Sequence, residues 1–260
     1  MLNKTLVIGH RGAPALLPEN TMESFRMAFE EFHADAIEFD VRFSLDRVPI
    51  IIHDATLERT TNGKGFVAKQ PFQELQKLDA GKGFRIPSLE EVLSLFKGKT
   101  LAVEIKDRSE ELVHAVMALI HKHKADHCIV GSKHFLVADT LRKNYPRQRR
   151  FWSQREIVQN FIAFQGYRHS RNILSGKKGT GNIPLPVPFF PPSKEKIVAS
   201  MPLEGCGMHF DDPAFLDWLH QKGITVYFWT INEPQEMKRL TAAGADGIIT
   251  NHPGVTFPSP

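Results

Sequence analysis

Cysteine is nearly missing: two residues in 260, Cys128 and Cys206, far apart and in no metal-type spacing. That excludes a disulfide framework and a thiolate metal site, and it fits two reduced, buried thiols in a reducing compartment. Long apolar runs are missing too. The opening "MLNKTLVIGHRGA" holds an apolar stretch too short for a signal-peptide core, and no window approaches the roughly 20 residues of a membrane span. Stable membrane insertion is therefore not expected, and the cytoplasm is the expected location. Nor does one sign of charge dominate, with 33 Lys and Arg against 29 Asp and Glu. Much of the small excess lies in "LRKNYPRQRR" and "RHSRNILSGKKGTG", which read as a solvated face or as attraction for an anionic substrate or surface. No aromatic-interleaved basic motif accompanies them, so no nucleic-acid partner is expected. With no composition shift and no internal repeat, residues 1–260 read as one domain, long enough to build a core without staples.

What is present is alternation. Runs rich in β-branched and aromatic residues at 6–10, 36–43, 101–106, 128–132, 149–153, 185–190, 225–231 and 247–251 read as strands. Segments of helical period fall between them. "TMESFRMAFEEFH" places Met22, Phe25, Phe29 and Phe32 near one face, and "SLEEVLSLF" opens with Ser88 and Glu91 at the spacing of a capping box. "SEELVHAVMALIHKH" carries an apolar stripe behind Ser109, while "DDPAFLDWLHQKG" and "NEPQEMKRLTAAG" each start beside a proline and stop at a glycine. One run, "PIIIHD" at 49–54, follows the second strand too soon for a helix to intervene, so it should fold back as a hairpin. Setting it aside leaves eight strand–helix steps, which predicts a TIM (β/α)8 barrel with a small hairpin excursion after strand two. The proline-heavy 185–190 run is the least strand-like of the eight.

Polar residues interrupt these strands at particular places. In "AIEFDVRF", Glu38 and Asp40 are two apart and share a face, while Ile37, Phe39 and Val41 point to the other. "LAVEIK" repeats the pattern with Glu104 and Lys106. Acids inside apolar strands repel one another and resist desolvation, so a cation must compensate them. One answer is structural salt bridging to Arg42 or Lys106. The other is a hard divalent ion, Mg²⁺ or Ca²⁺, held by Glu38, Asp40 and Glu104 at the C-terminal mouth of the barrel. His10 and His53 each end an apolar run near those acids, where imidazoles suit a general acid and a general base. Arg11 offers a planar fork to phosphate oxygens and Lys106 a second cation. Gly12 allows close backbone approach to a ligand or makes a plain turn. Asp54 orients His53 or caps the turn; Asn232-Glu233-Pro234 reads as a helix start and no more. Trp229, placed late in a strand with Tyr227 on the same face, reads as core or as a floor for the apolar or alcohol part of a substrate.

Together, "GHRGAPALLPENTMESF", "IEFDVRFSLDRVPIIIHDATLERTTNGKG", "PSLEEVL", "LAVEIK" and "VYFWTINEPQEMKRLTAAGADGIITNHP" resemble, in order, the glycerophosphodiester phosphodiesterases. The resemblance implies a TIM barrel that hydrolyses a small-molecule glycerophosphodiester to glycerol 3-phosphate and an alcohol with a divalent metal. It gives the metal-ligand role to Glu38, Asp40 and Glu104, the acid–base pair to His10 and His53, and phosphate binding to Arg11 and Lys106. Glu19 and Asn20 fall in the family's Pro-Glu-Asn-Thr turn and are expected to support the site. The chain departs from the family over about 145–200, which should shape the alcohol side of the pocket, and at "NHP" (251–253), where an acidic residue is common. The rival readings are a lysophospholipase D, a phosphatidylinositol phospholipase C-like enzyme and a non-enzymatic phosphate-binding barrel. The lack of a His-x-His pair in strand one argues against a metal-dependent amidohydrolase.

Overall fold

The computed structural model describes residues 4–174, 197–202, 204–205 and 208–255. Eight parallel strands form the barrel: β1 (Leu6–His10), β2 (Ala36–Phe43), β4 (Thr100–Ile105), β5 (Ile129–Gly131), β6 (Arg150–Phe151), β7 (Ile197–Met201), β10 (Thr225–Phe228) and β11 (Gly247–Thr250). They pair in the order β1-β11-β10-β7-β6-β5-β4-β2, and a β1–β2 pairing closes the circle. The sixth strand of the barrel is β7, "IVASM"; the strand expected at residues 185–190 lies outside the described residues. A separate short pair, β8 (Glu204–Gly205) and β9 (Met208–His209), is antiparallel.

The interior is closed by one residue from each strand: Ile8, Ala36, Ala102, Ile129, Phe151, Val198, Tyr227 and Ile249, all buried. Small Ala36 and Ala102 leave the volume that the Phe151 and Tyr227 rings take, the complementarity a filled barrel core requires. Gly131 belongs to the same fit, since a Cβ there would lie 2.5 Å from Phe151 Cβ. Outside the barrel, Ile37, Phe39, Val41, Val103 and Ile105 are buried against the helices, the alternation expected of strands that carry acids on their other face.

The helices start where their capping residues stand. In α3 (Leu89–Leu95) the Ser88 hydroxyl accepts from the Glu91 amide at 3.2 Å, and the Glu91 carboxylate accepts from the Ser88 amide at 2.7 Å. Ser109 caps α4 (Glu110–Lys122) through the Leu112 amide, and Asp212 caps α7 (Pro213–His220) through the Ala214 amide. Glu233, before α8 (Pro234–Ala243), makes no capping hydrogen bond. The helix beginning at Thr21 is α-helical only over α1 (Met22–Arg26) and then widens into a π-helical turn, Met27–Glu31. The circuit is completed by α5 (Phe135–Asn144) and by α6 (Gln154–Leu174), whose Glu156 holds the fully buried Arg150 guanidinium at 2.9 Å.

The hairpin excursion is present and larger than a hairpin alone. β3 (Pro49–Ile51) runs antiparallel to β2 with Val41 opposite Ile51. Beyond it the chain forms a lobe with a 3-10 turn (Val67–Lys69), one short α-helix, α2 (Phe72–Leu75), and a core of its own, in which Ile50, Ile52, Leu57, Val67, Leu75 and Ile86 pack together. Cys128 is buried, and burial pushes its thiol up to about 12; Cys206 lies outside the described residues. Among the described residues no helix is long and apolar enough to cross a membrane.

Candidate active site

At the C-terminal ends of the first barrel strands a cavity of about 430 Å³ opens, lined by His10, Arg11, Glu38, His53, Glu104, Lys106 and Trp229, among others. Register explains the acids. β2 and β4 pair in parallel with Asp40 opposite Glu104, and His10 lies opposite Glu38 across β1 and β2. Glu38, Asp40 and Glu104 each bring one carboxylate oxygen within 4.8 Å of the others. Two of the three are buried, at 6% and 1% exposure for Glu38 and Asp40.

The electrostatics are unequal across the cluster. Burial, with Asp40 and Glu104 alongside, pushes the Glu38 carboxyl well above the usual range. Burial opposes ionisation of Asp40 as well, but Lys106 and Arg11 outweigh it and hold that carboxyl below its ordinary value. Arg11 Nε lies 3.0 Å from Asp40 Oδ2, and Lys106 Nζ lies 3.3 Å from Asp40 Oδ1 and 3.2 Å from Glu104. Asp40 Oδ1 nonetheless accepts no hydrogen bond. Three converging carboxylates, one desolvated against its charge and one with an oxygen left over, form an all-oxygen donor set that fits a hard divalent cation.

Each imidazole is oriented by a neighbour. His10 Nδ1 lies 2.7 Å from Asn251 Oδ1, and its Nε2 faces Glu38 at 3.9 Å. Burial, then Arg11, lowers its pKa. Asn251 is itself fixed, because its backbone amide donates to Asn232 Oδ1 at 2.9 Å. His53 stands two residues past the end of β3, not at the strand end, with Nδ1 2.6 Å from Asp54 Oδ1. Arg59 grips Asp54 and Glu19 with both edges of its guanidinium, and Glu19 accepts in turn from Arg11 at 3.0 Å. Asn20 clamps Asp40, donating to Oδ2 at 2.9 Å.

Arg42 does not neutralise the acids; it pairs with Asp107 and donates to the His53 carbonyl at 2.8 Å, bracing that loop. Gly12 makes room for no ligand: at φ 95° its missing Cβ would sit 2.4 Å from Ser24 Oγ, so it serves packing of the turn. Trp229 lies beyond the end of β10, 43% exposed at the cavity wall, whereas Tyr227 is sealed inside the barrel. Glu19 and Asn20 do not line the cavity; they hold residues that shape it. Asn251, Arg59 and Asn232 carry no periodic signal in the sequence, and only the fold brings them to these partners.

A parallel barrel with acids, imidazoles and cations gathered at its C-terminal rim is an enzyme's architecture. Residues 10–146 match the model of the glycerophosphoryl diester phosphodiesterase family, and residues 225–254 match a second model of the same description. A glycerophosphodiester phosphodiesterase from Caldanaerobacter subterraneus subsp. tengcongensis is 30% identical over 96% of this chain and 95% of its own length. Human lysophospholipase D is 26% identical over 95% of this chain and 83% of its own. Among solved structures, a glycerophosphoryl diester phosphodiesterase domain from Mycobacterium tuberculosis superposes with a TM-score of 0.77 at 20% identity, covering 97% of both chains. An Oleispira antarctica phosphodiesterase, solved with the product sn-glycerol-3-phosphate, gives 0.68 at 24% identity, with 96% of this chain and 94% of that one covered. The chain belongs to the glycerophosphoryl diester phosphodiesterase family and is an enzyme of that class.

Proposed function

We propose that this enzyme hydrolyses glycerophosphodiesters to glycerol 3-phosphate and an alcohol at the rim cavity, with Mg²⁺ or Ca²⁺ held by Glu38, Asp40 and Glu104. The observation that carries the reading is the convergence of those acids with two separately oriented imidazoles on one cavity. A bound divalent ion would supply Lewis-acid stabilisation of the charge that builds on phosphorus-bound oxygen. Arg11 and Lys106 add fixed positive charge for the phosphodiester anion. Because Asn251 presents its carbonyl oxygen to Nδ1, His10 carries its proton there and keeps a bare Nε2 on the cavity side, suited to deprotonating the nucleophile. His53 donates from Nδ1 to Asp54 and uses Nε2 to protonate the leaving alkoxide. The nucleophile is either water or the substrate's own glycerol hydroxyl, which would give a cyclic phosphate; trapping that species decides between them.

The test is a screen of glycerophosphocholine, -ethanolamine, -glycerol and -inositol with Mg²⁺, Ca²⁺ or chelator, scored by released glycerol 3-phosphate. The expected result is metal-dependent turnover that falls by about 10²–10⁴-fold in His10→Ala and His53→Ala. Turnover indifferent to chelator favours the phospholipase C-like chemistry and removes the metal assignment. One observation favours a second activity: Pro202, Phe210 and Trp229 give one flank of the cavity an apolar wall suited to an acyl chain. Release of choline from lysophosphatidylcholine tests that reading.

A further inference from the structure

A second concavity, about 670 Å³, opens on the same face as the rim cavity and shares Lys133, Gln154 and Val158 with it. The two are therefore one continuous surface, the second lying over the ends of β4, β5 and β6. Its lining holds three exposed cations, Arg108, Lys133 and Arg155, and no carboxylate. None of the three pairs with a carboxylate among the described residues: Arg108 Nε donates to His134 at 3.2 Å, and the Arg155 guanidinium lies 4.6 Å over the Phe135 ring. The helices α5 and α6 both begin in this lining, adding the positive ends of their peptide dipoles. Elsewhere on the surface cations do find acids, as Arg168 does with Asp212 and Lys122 with Glu90. Three uncompensated cations around one hollow raise the local potential for an anion.

Building on the hydrolytic reading above, we infer that this groove is the leaving-group subsite and selects glycerophosphodiesters whose departing alcohol carries its own phosphate or carboxylate. The phosphodiester sits against Arg11 and Lys106, and the alcohol extends past Lys133 between Arg108 and Arg155. A quaternary ammonium is disfavoured on two counts. The groove repels it, and the Phe135 ring in its lining is already covered by a guanidinium. The reaction is unchanged: water is consumed, the bond from phosphorus to the alcohol oxygen breaks, and glycerol 3-phosphate leaves with the anionic alcohol.

The test compares glycerophosphoinositol with glycerophosphoinositol 4-phosphate, which differ by one phosphate. In the wild type, kcat/KM should favour the phosphorylated substrate by about tenfold, equivalent to ~1.4 kcal/mol, and the preference should narrow as salt rises. In the surface double variant Arg108→Gln/Arg155→Gln the ratio of the two kcat/KM values should fall from about tenfold to near one, because only the phosphorylated alcohol loses a charge partner. Equal kcat/KM for the two substrates in the wild type, or equal loss of both in the variant, overturns the subsite. Calorimetry with inositol 4-phosphate alone separates the two readings. Should the wild type hydrolyse no glycerophosphodiester, binding of that ligand, weakened in the variant, still supports an anion-selective groove, and absence of binding overturns it. If the variant keeps its preference but no longer sediments with phosphatidylglycerol vesicles, the groove serves a lipid surface and the inference falls.

Discussion

At the residue scale the site is defined less by its reactive groups than by what aims them. Asn251 holds His10 by one hydrogen bond and is itself held through its backbone by Asn232. Asn251→Ala should therefore lower kcat by about tenfold to a hundredfold, by analogy with other supporting partners. It should leave KM and the melting temperature close to wild type and shift the basic or acidic limb of the kcat/KM pH profile; an unchanged profile would reduce Asn251 to a packing residue. Arg59 makes a second case. The Glu19 carboxyl is held below its ordinary value against the opposing effect of burial, first by Arg59 and then by Arg11. Arg59 also holds Asp54 far below the usual carboxylate range. A depressed folded-state pKa contributes stability that is fully present above the unfolded value and disappears as pH falls through the folded one. Arg59→Gln should thus cost about 0.5–1 kcal/mol at pH 7, the discount appropriate to a half-exposed guanidinium. Denaturant melts at pH 7 and pH 3 should show that gap beginning to narrow, with part of the Asp54 contribution still present at pH 3 because its folded-state carboxyl titrates below that pH.

At the scale of the element, local rules explain where helices begin. Ser88 and Glu91 form the capping box that their spacing announces, and Ser88→Ala should cost about 1 kcal/mol, readable as a lower midpoint in urea. Pairwise spacing was likewise enough to put Glu38 and Asp40 on one face of β2 and Ile37, Phe39 and Val41 on the other, because strand periodicity is a local property. It was not enough to pick out β7, a run of only five residues, or to end β10: the apolar run extends to residue 231, yet the strand stops at Phe228 and Trp229 stands at the cavity wall. Asn251's contact with His10, across 241 residues, and Arg59's with Glu19, across 40, were beyond local reach, since no short-range pattern encodes such contacts.

For the whole molecule, the barrel and its rim set opposite demands. The interior ring is packed to closure, so Phe151→Ala should lose about 3–5 kcal/mol, seen in reversible melts, the usual cost of deleting a buried aromatic side chain. The rim instead concentrates like charges, with Glu38 raised well above its ordinary pKa by burial and by its acidic neighbours. A cation that relieves this repulsion should stabilise the fold by mass action, by about 2.7 kcal/mol at a hundred times its dissociation constant. Thermal melts with and without Mg²⁺ or Ca²⁺ read this directly, and Glu104→Gln should blunt the increment. A melting temperature indifferent to both ions at millimolar concentration would remove the metal assignment. How the pieces are mounted adds a constraint of its own. His10 is rooted in the barrel wall, whereas His53 rides on the lobe that packs around Ile50, Leu57 and Leu75. A catalyst split between two such bodies works only while the smaller stays seated on the larger. Warming should therefore cripple turnover before the backbone as a whole gives way, as a lock fails when its hinge loosens though door and frame are sound.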